Sequence, residues 1–131
     1  MQRTPVNPWP WSLPHGYNQA ELIMGATRQL VIAGQTAVDA TGAVQHPGDM
    51  RAQLSLALDN LETVLAAADM TLASLTRLTI HATDMDAALQ NFDLLARRLG
   101  PVGAAPPMTL LGTTRLALPD LMIELQADAA A

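Results

Sequence analysis

"DMRAQLSLALDNLETVLAAADMTLASLTRLTIHATDMD", residues 49–86, holds the change of period that decides the fold. Leu54, Leu58, Leu61, Leu65 and Ala68 recur at spacings of three and four, so they share one face of a helix from about Asp49 to Ala68. Asp49 is placed to cap the free N–H groups of its first turn and to oppose its dipole. Arg51, Asn60 and Glu62 fall off the apolar stripe. "DMTLAS" (69–74) breaks the helix, and from 76 to 84 the period drops to two. Leu78, Ile80 and Ala82 then face one way, and Arg77, Thr79, His81 and Thr83 the other.

Working outward, a second helix is expected over about 86–99, with Ala88, Phe92, Leu95, Ala96 and Leu99 on one side and Gly100-Pro101 as its stop. "VGAAPP" is a linker to strands at about 108–117 and 121–128. Upstream, "GYNQAELIM" (16–24) and "RQLVIAGQ" (28–35) read as two strands, and "GAT" between them predicts a hairpin. Residues 36–49 form a loop. Residues 1–16 hold four of the nine prolines and both tryptophans, which predicts an extended arm, neither helix nor interior strand. The indoles of "NPWPW" would pack on the body of the domain, or serve as a recognition lid. The expected order is β-β-α-β-α-β-β: an N-terminal arm (1–16) and a single α+β domain (17–131), with two helices on one face of one mixed sheet. The other sheet face mixes Thr, His, Glu and Gln with apolar groups. That is too apolar for water and too polar for a monomer core, so a closed oligomer is the expected solution.

Composition removes several classes of function. The chain has 131 residues, half of them apolar, enough for one real core. The net charge of −5 argues against nucleic-acid binding, which needs a basic face to neutralise phosphates. There is no cysteine, and all seven basic residues are arginine. Disulfides, thiol nucleophiles, Schiff-base lysines and P-loop lysines are excluded. No apolar run is long enough to cross a bilayer and the N-terminus lacks an apolar h-region, so a soluble cytoplasmic protein without a membrane partner is the expectation.

The remaining chemistry is sparse. His15, His46 and His81 show no i, i+4 pair and no clustered carboxylate, so no metal site is expected. No G-x-S-x-G elbow or phosphate loop occurs. Glu124 stands between Ile123 and Leu125 in the last strand. Its apolar neighbours would desolvate the carboxylate and suit it to acid–base work; a salt bridge or a solvated sheet face is the other reading. Taken alone, Tyr17 reads as packing and Asn91 as a solvated helix residue.

"GYNQA", "VIAGQTAVDATGAV", the 49–86 segment and "LMIELQA" together resemble the RidA/YjgF family, also called the endoribonuclease L-PSP family, over about Gly16 to Ala127. The resemblance implies a chorismate-mutase-like α+β fold and a homotrimer with a central barrel. It also implies small-molecule clefts between subunits and hydrolysis of reactive imines or enamines with no metal or organic cofactor. It implies that Glu124 positions the attacking water, and that Tyr17, Ala33, Gly34, Asn91, Met108 and Thr109 line the cleft. Ala33 stands where serine is usual. Met108 stands where the family's substrate-binding arginine is expected, after "PP".

Arginine grips a carboxylate through two parallel charged hydrogen bonds; methionine offers an apolar chain. The exchange costs about 1.5–3 kcal/mol of binding for a carboxylated ligand. Arg115, seven positions along an extended strand, would lie on the opposite face and about 23 Å away, so it is no replacement. Arg3, on the arm, is the least constrained alternative. The resemblance thus implies a deaminase-type hydrolase whose substrate lacks the usual carboxylate. The alternative is a non-catalytic trimer that binds a small metabolite. Ribonuclease action fits the acidic chain poorly.

Overall fold

The computed structural model describes residues 1–131. Its core is the helix read from the sequence, α1 (Met50–Ala67), laid across a sheet. Asp49 caps it, accepting the Ala52 N–H at 3.0 Å, and Leu54, Leu58, Leu61 and Leu65 are fully buried. The sheet has four strands in the order β3 (Gln29–Thr36), β6 (Ile123–Ala130), β4 (Leu75–Ala82) and β5 (Met108–Gly112). β4 and β5 run parallel, and the other neighbours are antiparallel. The alternation expected of β4 holds: Leu78, Ile80 and Ala82 are buried under the helices, together with Ile123, Leu125 and Ala127 of β6. No helix is long and apolar enough to cross a membrane.

The expected hairpin does not form. β2 (Ala20–Met24) pairs antiparallel with β1 (Gln2–Val6) in a separate two-stranded sheet. After the turn at Gly25 (φ 71°), the Thr27 and Arg28 N–H groups both donate to the Ala131 carbonyl. The chain therefore enters the main sheet beside β6 and not beside β2. There is one four-stranded sheet and one small one, where a single sheet was expected. The arm is correspondingly more structured than its prolines suggest. Pro5 sits in the outer strand of a two-stranded ribbon, where a missing N–H is tolerated. Pro10 begins a 3-10 turn (Pro10–His15) that ends at Gly16 in the left-handed region (φ 83°).

Two more boundaries move. The second helix splits into α2 (Met85–Leu89) and α3 (Asp93–Leu99), because the Asn91 and Phe92 N–H groups bond three residues back, to Ala88 and Leu89, and tighten the chain. β5 stops at Gly112 and not near 117. Its partner β4 ends at Ala82, whose carbonyl takes the Thr113 N–H at 2.9 Å.

One buried polar side chain ties these pieces together. Gln53 of α1 is fully buried; its amide donates to the carbonyls of Asp120, Gln45 and His46, and its oxygen accepts the Met122 N–H at 2.8 Å. Asn60, off the apolar stripe, donates to the Thr36 and Val38 carbonyls and fixes the exit of β3. Gln53→Ala leaves buried backbone groups without partners and is expected to lower stability by on the order of 2–3 kcal/mol, read by urea unfolding.

Candidate functional site

The register of the sheet sorts the expected site residues onto two faces. Met108 lies beside buried Leu78, and Glu124 lies beside His81. Leu78 and His81 are three residues apart on one strand, so their side chains point to opposite faces. Met108 and Leu110 therefore turn toward the helices. Glu124, Thr109 and Leu111 turn the other way, with Thr79, His81 and Gln126. His81 Nε2 lies 3.4 Å from Gln126 Oε1 on that polar face.

On the helix side, a cavity of about 800 Å³ opens between α3, the start of β5 and the 3-10 turn of the arm. Its fifteen lining residues are mostly apolar and include Trp11, Tyr17, Phe92, Met108 and Leu110. None is an arginine or a carboxylate; His15 is the one basic side chain among them. Trp11 and Tyr17 meet edge to face, with ring centroids 6.2 Å apart and planes at 81°. Two of the expected cleft residues, Tyr17 and Met108, thus share one cavity.

On the polar face, Glu124 is seated by a missing side chain. The pairing of β3 with β6 slips between Ile32 and Gln35, a bulge that contains Ala33 and Gly34. A Cβ placed on Gly34 would come 1.7 Å from Glu124 Oε1 and 2.6 Å from its Cδ. Glycine at that position is what leaves room for the carboxyl group against β3. Glu124 takes part in none of the chain's ion pairs, which use Glu21, Asp59, Glu62, Asp93 and Asp128. The salt-bridge reading of Glu124 therefore has no partner within the chain.

The other expected residues are more scattered. Asn91 does not line the cavity: its amide donates to the Ala87 carbonyl at 2.8 Å, and its oxygen accepts a long contact from Arg51. Arg51 donates to both oxygens of Asp93, at 2.8 and 2.9 Å, and this hydrogen bonding holds the Asp93 carboxyl below the usual carboxylate range. The pair's stabilisation is present above that range and is lost as pH falls through the lowered Asp93 value. Thr109 is exposed on the polar face beside Thr79, and Ala33 is exposed in the bulge.

Neither Arg3, the alternative to the expected arginine, nor Arg115, already set aside, lines the cavity. Arg3 is held by Glu21 and by the Ala73 and Leu75 carbonyls, which staple the small sheet to the entry of β4. Arg115 lies beyond β5, donating to the Leu116 carbonyl. No group of three His, Asp or Glu side chains is arranged to hold a metal ion. Of the fifteen lining residues only Tyr17 and Met108 were expected in the cleft; Phe92, Leu110 and His15 are among those that were not. The scarcity of aromatic residues is the signal that points to Phe92.

A mixed sheet backed by helices, with a small-molecule-sized cavity at its parallel edge, defines an α+β protein with a concave site under an N-terminal arm. The endoribonuclease L-PSP family model matches residues 12–131, and the chain belongs to that family, the RidA/YjgF group. Among solved structures it is similar to YyfB of Yersinia pestis, a protein of unknown function of the Rid family. The two are 32% identical over all of both chains, with a TM-score of 0.84. It is also similar to Rv2704 of Mycobacterium tuberculosis, of the YjgF/YER057c/UK114 family (29% identity, 99% of this chain and 100% of that one, TM-score 0.67). Escherichia coli TdcF, solved with bound serine, shares the fold at 22% identity over 88% of this chain and 87% of its own, with a TM-score of 0.70. Among the curated proteins, none matches the sequence.

Gly34→Ala is expected to leave the protein folded, with a stability change within about 1 kcal/mol, because the atoms it meets end a flexible side chain. It should push the Glu124 carboxyl off β3, a displacement that a crystal structure of the variant measures directly.

Proposed function

We propose that the protein hydrolyses an imine or enamine that carries no carboxylate at the Met108 position, in clefts shared between copies of a homotrimer. The observation that supports this best is Glu124, an acid–base side chain seated on Gly34, in the polar face and outside every ion pair. In the proposed reaction its carboxylate takes a proton from water as the water oxygen bonds to the imine carbon. The C=N electron pair moves to nitrogen, which is protonated. The carbinolamine then expels ammonia as the C–O bond becomes a carbonyl. One water is consumed, and one carbonyl compound and one ammonia leave. An enamine enters the same path after protonation at carbon.

Because Met108 and Glu124 face opposite sides of one sheet, the proposed cleft takes its carboxylate from one copy and its apolar cavity from the next. Two exposed apolar side chains on the polar face, Val31 at 84% and Leu111 at 45%, support burial of that face between copies. The second reading, a trimer that binds a metabolite without turning it over, is favoured by the apolar cavity lining, which lacks a carboxylate.

One assay separates the two. Short-lived imines, neutral and carboxylated, are generated in situ and their decay is followed. The hydrolase reading expects Glu124→Gln to slow the catalysed decay by roughly 10²–10⁴-fold. If no imine decays faster with wild type than with Glu124→Gln, that reading is wrong and the binding trimer stands. Met108→Arg is expected to raise activity on carboxylated imines by about tenfold or more, through the restored charged pair. A monomeric mass in solution would overturn the shared cleft.

A further inference from the structure

We infer that the cavity under the arm recognises an uncharged planar ring, and that Trp11 selects it. This rests on the reading above, whose substrate it completes by naming the apolar portion. The chain has four aromatic residues, two Trp, one Tyr and one Phe, and three of them (Trp11, Tyr17 and Phe92) line this one cavity. In a core otherwise built of Leu, Ala, Ile and Met, that concentration is a property of the site and not of the fold. The cavity's 800 Å³ lies within the range of small-molecule sites, about 300–1,000 Å³.

Its charge balance is equally selective. With no arginine in the lining, a carboxylate entering the cavity would shed water without a guanidinium to replace it. A neutral ring has no such loss. Trp11 is half free, with 57% of its surface exposed, while its indole is set at right angles to Tyr17. An edge-to-face pair leaves aromatic surface open to a third ring, for offset or edge contact.

The wall that carries Trp11 is pre-set. Ser12, next to it, is fully buried, and Gly16 closes the turn with its N–H on the Leu13 carbonyl at 3.0 Å. Beyond Tyr17, the Asn18 N–H donates to the Ala105 carbonyl at the cavity's rim. Asn18 also accepts from the Asn7 amide, and Asn7 accepts the Gln19 N–H. The two flanks of the turn are therefore bonded to each other, and the C-terminal flank to the body at Ala105, so a ring meets Trp11 with little ordering left to do.

Isothermal titration of the full chain with indole, benzamide, benzoate and cyclohexanecarboxamide tests the inference. Indole and benzamide are expected to bind with millimolar or tighter dissociation constants. Benzoate should bind at least tenfold more weakly than benzamide, and the non-planar cyclohexanecarboxamide at least threefold more weakly. Trp11→Ala should weaken indole and benzamide about fivefold to tenfold, and Trp11→Phe should recover most of that loss. Trp9→Ala, 61% exposed and outside the cavity, should bind as wild type. The inference is overturned if neither ring binds, if benzoate matches benzamide, or if Trp11→Ala with an unchanged circular dichroism spectrum matches wild type. Ring binding with no imine hydrolysis would sink the proposed reaction alone. Hydrolysis without ring binding would sink this inference alone.

Discussion

The two-residue alternation of β4 and β6 is the constraint on which the rest depends. Residues paired across the ladder share a face, so burying Leu78, Ile80, Ile123 and Leu125 under the helices commits every intervening residue to the other side. That commitment sends Met108 into the cavity beneath the helices and Glu124 onto the open polar face. A slip of one residue would exchange the two and put charge in the core. The ladder departs from its register between β3 and β6 at Ala33–Gly34, and there a missing Cβ receives the Glu124 carboxyl. The bulge and the glycine act together: one re-aims the strand, the other clears the space.

The methionine at position 108 and the aromatic side chains that share its cavity have one physical sense. A cavity that holds arginine draws anions; one walled by Trp11, Tyr17, Phe92 and Met108 has polarizable apolar surface to offer and no guanidinium or carboxylate. The arm is part of this arrangement. Arg3, free in the sequence reading, is spent holding β1 and β2 against the entry of β4, which steadies the strand pair that flanks the arm's turn. Trp9, two residues from Trp11, stays in water, so the same Pro/Trp segment supplies both a cavity wall and an outer surface.

Much of this was legible in the chain before it folded. The stripe from Leu54 to Leu65, the cap at Asp49 and the alternation through Ile80 appear as read, because each depends on neighbours a few residues away. Tyr17 and Met108 do share a cavity. Asn91 donates to the Ala87 carbonyl at the break between α2 and α3, a contact that its place in the sequence did not foretell. Glu124 was singled out for its apolar flanks, but its relation to Gly34 depends on a bulge between strands about ninety residues apart.

The sequence by itself determined the helix and strand periods, the charge balance and the family, since all are carried by residue type and local spacing. Only the tertiary structure decided which strand β2 joins, that the arm carries a strand and a 3-10 turn, and that Met108 and Glu124 lie on opposite faces of one sheet. A strand edge offers the same N–H and C=O groups to any partner, so local pattern holds no record of the choice. Here the Ala131 carbonyl, taking the Thr27 and Arg28 N–H groups, directs β3 to β6 and leaves β2 to the N-terminus.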